Sequence, residues 1–77
     1  MKKAEITKII ETALAQGTKI PGLFELPKIL MIKSKLESCN STACCIAIIE
    51  EHQNLLVKAF GLDQNEIVAT IDKIKAL

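Results

Sequence analysis

The chain has 77 residues, of which 49% are hydrophobic, and a formal net charge of +1. That length makes one domain with a thin core, since so small a chain buries only ~60% of its unfolded surface. It contains no Arg, Trp or Tyr. It therefore lacks the usual groups for bidentate phosphate recognition and for stacking on bases, and no nucleic-acid partner is expected. Its longest apolar run is seven residues, far short of the ~20 that cross a bilayer, so no membrane span is expected.

The chain reads as an all-α, compact four-helix bundle with helices at about 3–16, 27–37, 41–60 and 64–76, and an apolar loop at 17–26. In the first helix, Ile6, Ile9, Ile10, Ala13 and Leu14 fall at i, i+3, i+4, i+7 and i+8, the spacing of one helical face. Glu5 suits the first turn, where the helix dipole favours an anion. Gly17 follows, as a residue able to end the helix in the left-handed conformation.

Residues 17–26 form the connection, punctuated by Gly17, Pro21 and Gly22. Ile20, Leu23, Phe24 and Leu26 make it unusually apolar. Such a loop is expected to pack down as a cap over one end of the bundle. The alternative is an exposed binding patch. Pro27 suits the first position of the second helix, where its missing N–H costs nothing. Ile29, Leu30, Ile32 and Leu36 are its buried candidates, with Met31 widening the arc.

The segment 41–60 opens on seven apolar residues in a row, Ala43, Cys44, Cys45, Ile46, Ala47, Ile48 and Ile49. They cover every face of about two turns. Burial on several sides is expected, by this chain or by a second one. The small residues Ala43, Cys44 and Ala47 would let another helix approach closely. Asn40 or Ser41 would cap the segment. After Glu50–Asn54, Leu55, Leu56, Val57, Ala59 and Phe60 resume the apolar face, and Gly61 stops it. Asp63 then reads as the N-cap of the last helix, with Glu66 closing a capping box and Leu62 stapled to Ile67. Ile67, Val68, Ile71 and Ile74 are its apolar face.

Chemistry-bearing residues are few. His52 is the single histidine. On the edge of the apolar stripe it reads as a boundary residue, hydrogen-bonded to a backbone carbonyl or a cross-helix carboxylate, rather than a proton-transfer group or metal ligand. Three cysteines are an odd number, Cys44 and Cys45 are adjacent, and no Cys-x-x-Cys is present. The expectation is reduced thiols packed as small hydrophobes. A zinc site is disfavoured because Cys45 and His52 lie ~10 Å apart along a helix. Glu50 and Glu51 diverge on a helix and make no acid/base pair. No Gly-rich phosphate loop, nucleophile elbow or Ser/His/Asp set is visible. No Asp precedes a Ser at Ser38–Ser41, so the modification motif of the carrier proteins of fatty-acid synthesis is missing.

The N-terminal residues Met1–Lys8 carry lysines with no apolar core behind them, unlike a signal peptide, and with reduced thiols this points to the cytoplasm. The expected function is non-catalytic and cofactor-free, with no metal: an adaptor, inhibitor or immunity-type factor that binds protein and self-associates. Ala43, Cys44, Ala47, Ile48, Leu23 and Phe24 are the candidate interaction surface. The alternative is a helical pocket for a small apolar ligand, closed by the loop 20–26.

Overall fold

The computed structural model describes residues Met1–Leu77. It is all-helical, as the periodicity predicts, but has five helices rather than four. They are α1 (Lys3–Ala15), α2 (Leu26–Ser38), α3 (Thr42–Glu51), α4 (Gln53–Phe60) and α5 (Gln64–Lys75). The molecule measures 32 × 23 × 19 Å.

The extra helix comes from a break at His52, whose backbone (φ −108°, ψ 15°) leaves the helical region. The hydrogen-bond ladder survives the break. The His52 N–H donates to the Ile48 carbonyl and the Leu56 N–H to the His52 carbonyl, at 3.1 and 3.0 Å. An unbroken helix over 41–60 would extend ~30 Å, nearly the full 32 Å of the molecule. Its two apolar runs would then diverge along a straight rod. The bend lets α3 and α4 both pack on α5.

α5 is the central element, in contact with α1, α3 and α4. Its face Ile67, Thr70, Ile71 and Ile74 is buried. Val68, expected on that face, is instead half exposed. Thr70 satisfies its hydroxyl locally by donating to the Glu66 carbonyl at 2.7 Å. The rest of the core comes from Ile6, Ile32, Cys39, Cys45, Ile49, Leu56 and Leu62. Ala59 is fully buried beside it.

The capping box at α5 forms as read. The Asn65 N–H donates to Asp63 Oδ1, and the Asp63 N–H donates to Glu66 Oε1, both at 3.0 Å. Leu62 and Ile67 are buried on either side of it. Ser41 caps α3, its Oγ accepting from the Cys44 N–H at 3.1 Å.

Gly61 ends α4 in the left-handed conformation, with φ of 64°. The Leu62 N–H then reaches back to the Val57 carbonyl at 3.0 Å, closing a Schellman motif with Leu62 buried behind it. Gly17 is not left-handed, contrary to expectation. Its role is close approach: a Cβ there would fall on the Phe60 carbonyl. The Lys19 N–H donates to that carbonyl at 3.0 Å, and Thr18 Oγ1 donates to the Gly61 carbonyl at 3.2 Å. The end of α1 is thereby fastened to the end of α4.

Removing the cap tests this account. Asp63→Ala should lower unfolding free energy by about 0.5–2 kcal/mol, read as a lower urea midpoint at unchanged slope. An unchanged midpoint would show that the capping box contributes nothing in solution.

Candidate interaction surface

The loop expected to cap the bundle does not pack down. Ile20 and Phe24 are each 89% exposed and Leu23 81%. The chain here makes a tight turn closed by its own hydrogen bonds. The Glu25 N–H donates to the Gly22 carbonyl at 3.0 Å, and Glu25 Oε1 accepts from the Gly22 N–H at 2.9 Å. The turn runs directly into α2 just ahead of Pro27.

On α2 itself, only Ile32 is fully buried, with Ile29 and Leu36 half-buried on the same side. Leu30, expected inside, is 61% exposed and Met31 46%. Leu26 and Leu30 are spaced i, i+4, as are Pro27 and Met31, so they continue the face begun at Leu23. The result is an apolar face opposite the core. It ends where Ser34, Lys35 and Ser38 take over the outside of the helix.

The seven-residue run in α3 is only partly enclosed. Cys45 and Ile49 are buried, while Cys44, Ile46 and Ile48 are half-buried. Ala43 and Ala47 face outward. All-round burial within the chain is therefore not what happens. The candidates fall into two separate places: Leu23 and Phe24 on the turn, and Ala43, Cys44, Ala47 and Ile48 on α3. Ile20 belongs to the loop for which an exposed patch was the alternative expectation, whereas Leu30 was expected inside and Met31 was not placed on an exposed face. The available signal was that Leu26, Pro27, Leu30 and Met31 put apolar residues on the side of α2 away from Ile29 and Ile32.

The cysteines correct a second expectation. Cys39 and Cys44 form a disulfide, and Cys45 alone is free and buried. Cys39 leaves α2 in an extended conformation, while Cys44 lies in the first turn of α3. The reversal between them brings their Cα atoms to 5.7 Å, within the range a disulfide spans. Reasoning from spacing along one helix could not find this pair. The disulfide also removes the support that reduced thiols lent to a cytoplasmic location.

His52 is mostly buried, and its Nε2 has no hydrogen-bond partner. Neither expected acceptor is in place; the nearest charge is its sequence neighbour Glu51, whose Oε1 lies 3.8 Å away. No group of three or more His, Cys, Asp or Glu side chains is arranged to hold a metal. No helix is long and apolar enough to cross a membrane.

One concave site stands out. α1 packs on α5 and α2 packs on α3, which leaves a groove of about 350 Å³ between α1 and α2. Its walls are Ile6, Ile10 and Leu14 on one side and Ile29, Ile32 and Leu36 on the other, over a floor that includes Cys45 and Leu56. Lys3 Nζ donates to the Glu37 carbonyl and bridges the two helices at one end. Residues 17–26 do not line this groove, so the apolar loop does not close it. A cleft of about 400 Å³ between α1 and α5 is instead lined mostly by polar side chains of mixed charge, among them Glu5, Lys8, Glu66 and Lys73.

A thiol titration separates the two cysteine arrangements. In denaturant without reductant one thiol per chain should react, and after reduction three. Reduction should also lower stability by roughly 2 kcal/mol, the entropy of a short closed loop. Three reactive thiols in unreduced protein would refute the pairing.

No protein-family model, curated protein or solved structure matches this chain.

Proposed function

We propose that this is a non-catalytic protein that acts by binding another protein, as an adaptor, inhibitor or immunity-type factor. The observation that carries the reading is the apolar face formed by the turn at Leu23 and Phe24 and the outer side of α2. Exposed apolar surface of this extent is uncommon on a chain that works alone. Phe24 stands free at 89% exposure, as an anchor for a partner's pocket would. The chemistry points the same way. There is one histidine; its Nε2 makes no hydrogen bond, has only its sequence neighbour Glu51 nearby, and lines neither the groove nor the cleft. The α3 candidates Ala43, Cys44, Ala47 and Ile48 lie apart from this face and are not assigned to it.

The test is photo-crosslinking in the native host, from a photoreactive residue at position 24 and, as a control, at exposed position 72. Protein adducts from position 24 and none from 72 are expected. No protein adduct from position 24 would overturn the reading.

The groove between α1 and α2 favours a second reading, a site for a small apolar ligand. Its lining is mostly aliphatic, with Lys3, Thr7, Glu11, Lys33 and Glu37 also contributing, and its volume of about 350 Å³ lies at the lower end for ligand pockets. Saturated fatty acids of increasing length should then bind about fourfold more tightly per added methylene, until the groove is full. Leu36→Asp should abolish this binding and Leu30→Glu should leave it unchanged. Calorimetry showing no binding at millimolar fatty acid would eliminate it.

A further inference from the structure

We infer that the apolar face of the turn and α2 is a two-fold self-association surface, whose occupant is a second copy of this chain. The inference rests on the interaction reading above and names the partner. Nine large hydrophobic side chains are exposed, and six of them, Ile20, Leu23, Phe24, Leu26, Leu30 and Met31, fall in one twelve-residue stretch. The exposed apolar residues are thus concentrated on the turn and α2 rather than scattered over the surface. The first half of α2 is apolar on both sides, with Ile29 and Ile32 turned to the core and Leu26 and Leu30 turned away. Lys28 and Lys33 flank these two apolar sides, so the outer side is an apolar stripe between charged borders. Nothing in the chain covers its outer side.

The area matches a second copy. At their observed exposures, the six residues present at most on the order of 800 Å², so a contact that covers them and their polar neighbours reaches the area each partner contributes to a standard interface. A two-fold contact sets the same patch against itself. Apolar surface then meets apolar surface, and no complementary feature is needed from elsewhere. The polar groups within the patch fit this. Glu25 is turned back onto the Gly22 N–H, so no outward carboxylate has to be desolvated. Lys19 and Lys28 border the patch and are exposed, which leaves their ammonium groups at a wet rim. There, like charges from the two copies repel, and salt screens that repulsion. The dimer should therefore tighten as salt is raised. Docking on an acidic protein or an anionic lipid surface through the same lysines would weaken.

Sedimentation equilibrium on the 77-residue chain, from micromolar to millimolar, tests this. The expected result is a monomer–dimer equilibrium that shifts toward dimer with added sodium chloride. Leu30→Glu should raise the dissociation constant at least about 30-fold, the scale of an interfacial hot spot, and Phe24→Ser should weaken it in the same direction. Both positions are exposed in the single chain, so far-UV circular dichroism should show unchanged helix content. Ala47→Glu, on the outer side of α3, should leave the dimer intact. A wild-type chain that stays monomeric at millimolar concentration overturns the inference. So does a dimer broken by Ala47→Glu and untouched by Leu30→Glu. A monomer that cosediments with phosphatidylglycerol–phosphatidylcholine vesicles, and loses that binding in Leu30→Glu, overturns it in favour of a lipid surface. These outcomes are distinct from failure of the broader reading. A monomer whose position 24 still crosslinks to a different protein leaves that reading standing, whereas the absence of any protein adduct removes it.

Discussion

The fold depends on one helix. α5 carries the stripe Ile67, Thr70, Ile71 and Ile74, and three of the other four helices pack against it. Its start is fixed by the reciprocal bonds of Asp63 and Glu66 and by Leu62 buried just ahead of them. Its entry angle is fixed by Gly61, where the left-handed residue turns the chain out of α4. The same corner fastens α1, because the Phe60 and Gly61 carbonyls accept from Lys19 and Thr18. Gly17 is what allows that approach, since a side chain there would collide with the Phe60 carbonyl. Two glycines at one corner thus set the directions of three helices.

α2 stands outside this arrangement. It packs on α3, is held to α1 by the Lys3 contact to the Glu37 carbonyl, and is joined to α3 by the Cys39–Cys44 disulfide. Both open features follow from that position. The groove exists because α1 is drawn to α5 and α2 to α3. The apolar outer face exists because no further helix lies beyond α2. With only 12 of 77 residues fully buried, the chain has more apolar side chains than interior to hold them. The surplus is gathered on one element rather than spread over the surface.

The disulfide and the break at His52 belong to the same economy of length. Each shortens the path between apolar segments that must reach one small core. The turn at 39–44 is closed covalently where a short connection reverses direction, and the bend at His52 folds the long apolar segment back on α5. His52, at the bend, keeps a buried Nε2 without a hydrogen-bond partner.

Local chemistry decided what could be read directly from the sequence. The helices at both ends, the Asp63–Glu66 capping box, the Ser41 cap and the stop at Gly61 depend on residues within four or five positions of one another. Hydrogen bonds of that range are written in the spacing itself. The all-helical class followed from the same periodicity, as did the shortage of catalytic groups from composition. Tertiary structure alone decided which side of each apolar segment is covered. Leu30 and Val68 have the same local spacing as buried neighbours, yet lie outside, because burial depends on what stands across from a helix and not on its own pattern. For the loop residues Ile20, Leu23 and Phe24 the sequence left a packed cap and an exposed patch both open, and only the tertiary structure decided for exposure. The Cys39–Cys44 pair required knowing that the chain reverses between them. The interaction face is therefore a property of how five helices share one small core, and no single segment encodes it.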